Sequence, residues 1–427
     1  MSSAPVPAEP LGEGAAGVRQ AMLERVALGA MFVALAASPS YVVRFHVAGL
    51  PSDMLEVLLL VAIVLGLAAL GGRLQIWNPL TPPALLFLAG ATLDVWFSPS
   101  HKEAAGAWKA YFIEPALASL VIVGLATTRR RVMVILAGLG VAGTVVAVLN
   151  AANSLEALAA HRFSVVTPPV AVYNSANAVP LYLAPLVAVA LPLVLFSDEP
   201  RERLGAAVFS GLAALAILLS FSRAGWVTLG AVAVFAGLFH RWRWRMLGVL
   251  VAGGLVLGLG VPKARHRILV EFDFNSPDNT VRLRESLWRS SIRMLEHHPL
   301  FGGGLSGFER SVAPYRVPTY HEHLIYPHDI FLNFWSETGL VGLAGFLWLC
   351  GGLIRQCLLG LRREPWVRAL SIGLLGVLLA FLVHGLVDVP YFKNDQALAF
   401  WALIGVQLGA MAGVPALARG RGAAGEA

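Results

Sequence analysis

Apolar runs of roughly twenty residues recur along the chain, and short polar stretches separate them. A helix rises about 1.5 Å per residue, so each run is long enough to cross about 30 Å of hydrocarbon. The pattern predicts twelve membrane helices, with cores near 27–43, 54–71, 79–98, 110–128, 131–152, 179–196, 203–222, 225–240, 246–261, 331–354, 369–389 and 397–414. One segment breaks the rhythm, the long polar stretch 262–330 between the ninth and tenth runs. Within it Leu283, Leu287, Ile292 and Leu295 are spaced to share one face, which predicts an ordered helix over 282–297. The ends, 1–26 and 415–427, are rich in small and polar residues and read as disordered tails. The first run has Arg25 before it and resembles an uncleaved signal sequence.

Composition agrees with a membrane protein. Hydrophobic residues make up 57% of the chain and charged residues 13%, about half the charged share of a soluble domain. Twelve spans put both ends on one side, and the connections on that side hold seventeen basic residues, among them Arg129, Arg130, Arg131, Arg241, Arg243 and Arg245. The short loops on the other side hold six: Arg44, Lys102, Lys109, Arg162, Arg223 and Lys393. Basic loops stay in the cytoplasm, so both tails are expected there, with spans one to nine over 27–261, the loop 262–330 outside, and spans ten to twelve over 331–414. The same asymmetry accounts for the net charge of +7 and leaves no reason to expect nucleic acid. Trp242 and Trp244 interleave with the arginines as an interfacial anchor. Cys350 and Cys357 are too few and too close to one span for a disulfide framework or a zinc site.

Ionisable residues at the edges of spans need a partner or a purpose. Asp94, Glu114, Lys102 and Lys109 read as a local ion-pair cluster. Arg223 occupies a tight outer turn with no acid near it in sequence; its planar fork suits a phosphate, and snorkelling to lipid headgroups is the other reading. In the loop, Arg282 with Arg289 and Arg284 with Trp288 fall on two helical faces. The glycines of 302–307 permit tight turns or a backbone nest for an anion. His321 and His323 could suggest a metal, although a solvated loop explains them better. His328, fixed between Pro327 and the tenth span, is placed to accept a proton. Glu271 and Asp273 read as an exposed turn. Hydrolase, zinc-protease and aspartate-rich metal motifs are missing from the sequence.

Four pieces within about sixty residues carry a resemblance: Arg284-x-x-x-Trp288, His298-Pro-Leu-x-Gly-x-Gly304, Pro327-His328-Asp-x-x-Leu332 and Glu337-x-Gly339-Leu-x-Gly342. In this order they are similar to the O-antigen ligase and polymerase superfamily. Arg162, Asn174-Ser-Ala-Asn177 and Ser222-Arg223-Ala-Gly225 look like its upstream motifs, and His384-Gly-Leu-Val-Asp388 like its downstream one. Asp329 stands where the family usually has Asn. The resemblance covers roughly 160–410, and the earlier helices match in hydropathy only.

The resemblance implies an all-α, GT-C-like glycosyltransferase of the bacterial inner membrane, with a large periplasmic loop of short helices. It would need no metal and no cofactor, and would move a glycan from undecaprenyl pyrophosphate to lipid A–core oligosaccharide with inversion. It casts His328 as the catalytic base, with Arg162, Arg223, Arg284 and Lys102 on the pyrophosphate, and Arg289, Asn177, Tyr320, His384 and Asp388 in support. A polymerase, whose acceptor is another lipid-linked repeat, shares these motifs. A transporter of lipid-linked oligosaccharide would explain the many spans and outer cations, yet gives no reason for a proton acceptor in a rigid outer site, and the repeat symmetry common in transporters is not evident.

Overall fold

The computed structural model describes residues 11–47, 50–273, 276, 279–318 and 325–414. It is a helical bundle: α1 (Leu11–Ala36), α2 (Met54–Leu70), α3 (Thr81–Phe97), α4 (His101–Trp108), α5 (Glu114–Leu125), α6 (Arg129–Ala159), α7 (Ala178–Phe196), α8 (Pro200–Leu219), α9 (Arg223–Leu238), α10 (Arg243–Leu255), α11 (Pro262–Leu269), α12 (Thr280–His297), α13 (Phe308–Val312), α14 (Ile330–Gly360), α15 (Pro365–Gly385) and α16 (Asn394–Gly413). A small antiparallel hairpin, β1 (Arg44–Val47) with β2 (Leu50–Asp53), pairs Arg44 with Asp53 after α1.

Among the described residues nine helices are long and apolar enough to cross a membrane, and α3 and α9 are shorter apolar helices. The chain is thus a multi-pass, all-α membrane protein, and length and composition support fewer spans than the twelve expected. The first differs most. Its helix begins at Leu11, where a disordered tail was expected, and ends at Ala36 rather than near 43. Part of the reason is Glu24, which pairs with Arg73 and Arg131, both at 2.6 Å, and so fixes α1 against the ends of α2 and α6. At the same membrane face Arg129 pairs with Asp198 and Glu202, each at 2.8 Å.

Small residues set the helix crossings. A Cβ on Gly90 of α3 would stand 2.3 Å from the Gly342 nitrogen of α14, and one on Gly345 would stand 2.3 Å from the Phe87 nitrogen. Close backbone approach of this kind supplies packing where lipid removes the hydrophobic drive between helices. Phe87, Phe112, Phe334, Tyr391 and Phe400 fill the space beside that crossing.

The expected loop helix is α12, one residue pair longer at its start than the apolar spacing required. Its inner face joins Leu287, Met294 and Leu295 to Phe308, Val312 and Val317 in a second small core, which rests on Leu332 and Trp335 of α14. The glycine turn that follows α12 does not make an open anion nest. Its amides are used internally: Gly303 N–H donates to Ser336 O, Leu305 N–H to Asp94 O, and Ser306 N–H to Glu337 Oε2 at 2.5 Å. Gly302 and Gly304 adopt left-handed φ of 57° and 75°, and a Cβ on Gly304 would lie 2.6 Å from the Ser98 backbone. Opposite the turn, α14 is kinked at Gly339, φ 61°, where a Cβ would meet Leu300 O at 2.3 Å. The two glycine motifs are therefore the two halves of one dock between the loop and the membrane helices.

Candidate functional site

The site forms where four chain ends meet: the start of α9, the start of α12, the segment before α14 and the turn after α15. His328 precedes α14 and is left-handed, φ 52°, a conformation that costs a non-glycine residue about 1–2 kcal/mol. Asp329 follows it as the N-cap of α14, accepting from the amides of Phe331 and Leu332 at 3.0 and 2.9 Å. The cap ends the helix sharply and fixes where the imidazole projects. The ring Nδ1 lies 3.2 Å from Asp388 Oδ1, although the approach is not aligned for a hydrogen bond. Tyr326 packs its ring against the imidazole, centroids 4.4 Å apart.

Asp388 is held in the turn after α15, whose backbone N–H returns to His384 O at 3.0 Å. It is buried and receives the Val389 amide on Oδ1 at 2.9 Å. Burial alone would raise its carboxyl, and His328 followed by His384 outweighs that and holds it below the usual range. Arg284 of α12 reaches the same turn, with Nε donating to Val387 O at 2.8 Å. Burial pushes its guanidinium down, and Asp388 and Glu271 oppose the shift. Burial, then Asp388, push the Tyr326 hydroxyl up.

Arg223 and Arg284 meet through one hydroxyl. Thr280 Oγ accepts from Arg223 Nη2 at 3.2 Å and from Arg284 Nη1 at 2.7 Å, and donates to Glu271 Oε1 at 2.9 Å. That uses its two lone pairs and its proton. Arg223 also donates to Arg267 O at 3.1 Å and is ion-paired with Glu271. The expectation of an arginine without an acid is thereby corrected. Its partner lies 48 residues further along the chain, and Glu271 is not an idle exposed turn.

The structure thus brings His328, Asp388, Arg284 and Arg223 to one site. His384 is buried behind Asp388, with neither ring nitrogen bonded among the described residues. Asn177 ends up half-buried at the start of α7, on the same membrane face, where Gly225 lets α9 close onto Pro180. Other candidates are elsewhere. Arg162 pairs with Glu156 at 2.9 Å in the open, Arg289 pairs with Glu285 one turn away on α12, and Lys102 is exposed on α4. Tyr320, His321 and His323 lie outside the described residues. The expected cluster around Asp94 and Glu114 is also redrawn, because Lys109 pairs with Glu56 at 2.7 Å. Sequence reasoning missed Thr280, Glu271 and Tyr326. None belongs to a motif, and only the nearness of Tyr326 to His328 was available as a signal.

Residues 208–347 match the family model described as O-antigen ligase. This stretch is similar to the O-antigen ligase family. It contains Arg223, Thr280, Arg284, His328 and the Glu337 dock, whereas His384 and Asp388 come from beyond it. The chain is also similar to the O-antigen ligase of Salmonella typhimurium, 25% identical over 162 residues, which is 35% of this chain and 39% of that protein. The match spans well under half the length of this relative. The resemblance read from the motifs is borne out, and the matched stretch carries the loop helix and the histidine.

Proposed function

We propose that the chain is an O-antigen ligase, a GT-C-like glycosyltransferase of the bacterial inner membrane. Its tails are cytoplasmic, and the loop 262–330 and the site are periplasmic. The donor is a glycan on undecaprenyl pyrophosphate, and the acceptor is a hydroxyl of lipid A–core oligosaccharide. The observation that carries this reading is the His328–Asp388 pair beside two linked arginines. Asp388 faces Nδ1 and favours the tautomer with its proton there, which leaves Nε2 free to accept.

The acceptor hydroxyl attacks the anomeric carbon while Nε2 takes its proton. The bond from that carbon to the pyrophosphate oxygen breaks, and undecaprenyl pyrophosphate leaves with the electron pair. Arg223 and Arg284 neutralise the charge that grows on it, the role usually largest in such a step. Attack from the face opposite the leaving group inverts the centre, and the reaction asks for no metal. A polymerase would use the same groups with a different acceptor.

The lipopolysaccharide of a deletion strain separates the two. Loss of a ligase leaves bare core while polymer accumulates on its lipid carrier. Core capped by a single repeat would instead identify a polymerase, and unchanged polymer on core would overturn both readings. Reporter fusions test the orientation: those after residues 130, 200 and 243 should report cytoplasm, and those near 168 and 300 periplasm. A cytoplasmic signal at 300 would overturn it.

A further inference from the structure

The carboxylate of Glu271 occupies a seat built for an anion. Its Oε1 receives the Thr280 hydroxyl at 2.9 Å and the Thr280 amide at 3.3 Å, and its Oε2 receives the Val281 amide at 3.3 Å. These amides open α12, where the helix dipole favours negative charge. The Arg223 guanidinium closes the seat from the other side. Arg267 and Arg284 lie near enough to repel Arg223, and the Glu271 carboxylate offsets that repulsion.

Both terminal nitrogens of Arg223 are committed here, Nη1 to Glu271 and the Arg267 carbonyl and Nη2 to Thr280. A phosphate could not take the two-pronged Nη1–Nη2 edge of this arginine while the carboxylate remains, and two anions in one seat would repel. We infer that Glu271 stands in for the donor's phosphate on Arg223, and that the pyrophosphate displaces it on binding. The inference rests on the proposed role of Arg223 and Arg284. Glu271 is carried by the segment after α11, which Asn279 holds to the start of α12 by donating to the carbonyls of Val270, Glu271 and Asp273 at 3.0–3.4 Å. Displacement would therefore loosen α11 and the turn after it. Glu271 is a positioning residue in the empty enzyme and a competitor of the donor.

Binding of inorganic pyrophosphate to the purified full-length protein tests this. Glu271→Gln keeps the shape and removes the charge, so it should bind pyrophosphate on the order of tenfold more tightly than wild type. Equal or weaker binding would overturn the displacement. Arg223→Lys, measured alongside, should bind more weakly; if it binds like wild type, the arginine reading itself has failed and the inference falls with it. A second measurement needs no variant. On adding pyrophosphate, hydrogen exchange in 264–273 of the wild-type protein should quicken. Slower or unchanged exchange there would mean that Glu271 stays in place.

Discussion

Arg284 fastens the loop helix to the turn after α15: its Nε donates to Val387 O at 2.8 Å, one residue before Asp388. The same side chain uses Nη1 on Thr280, and Nη2 is the nitrogen that the proposed donor would engage. Arg284→Lys keeps the charge and cannot make these bonds together. Its transfer rate should fall about 10²-fold or more, with the protein still inserted and helical. A rate within twofold of wild type, measured on purified enzyme, would show that charge alone suffices.

Asp388→Asn tests the partner of His328. The amide keeps the volume, loses the charge and can present a donor to Nδ1, which would stabilise the wrong tautomer. The rate should fall by about 10²–10⁴-fold. The Asp388 carboxyl is held below its ordinary range, so it stabilises the folded protein above that range and loses the effect as pH falls through its folded value. Wild-type melting temperature should therefore drop more steeply in acid than that of Asp388→Asn. Parallel pH profiles of melting would contradict the assignment.

Charge neutralisation by arginine predicts indifference to chelators. Transfer by purified enzyme in EDTA should equal that in its absence. Strong inhibition that added Mg²⁺ or Mn²⁺ restores would argue for a metal on the pyrophosphate.

The glycine dock predicts a stability effect with a named cause. Gly304→Ala forces a side chain into left-handed backbone, φ 75°, and sets its Cβ 2.6 Å from Ser98. The strain alone is worth about 1–3 kcal/mol, and the clash adds to it. Thermal unfolding in detergent should show a clear loss of melting temperature, and Gly304→Ala melting like wild type would remove the dock from the account.

Much of this architecture was legible in the chain. Hydropathy located the apolar helices, because a membrane span announces itself by length alone, and the spacing of Leu283, Leu287 and Leu295 revealed α12, whereas Ile292, expected on the same face, is exposed. Arg284, His328 and Asp388 stood in recognisable motifs. Three features were hidden for physical reasons. Thr280 and Glu271 are ordinary loop residues until folding brings them to Arg223 from 57 and 48 residues away. The glycines of 302–307 suggested an external anion, and the Ser306 amide there instead meets the Glu337 side chain, supplied by α14. The helix from Leu11 carries Glu24, whose two arginine partners lie elsewhere in the chain, a pairing no local pattern records.

The central claim is that His328 takes the acceptor's proton, and His328→Asn tests it most directly. Asparagine tolerates the left-handed backbone that His328 adopts, so the variant removes the proton acceptor with little added strain. Donor binding and transfer should be measured on the same purified preparation, with the donor saturating. The account predicts binding within a few-fold of wild type and transfer reduced by about 10²–10⁴-fold. His328→Asn enzyme that transfers glycan at a near wild-type rate, or that fails only by losing donor affinity, would contradict it.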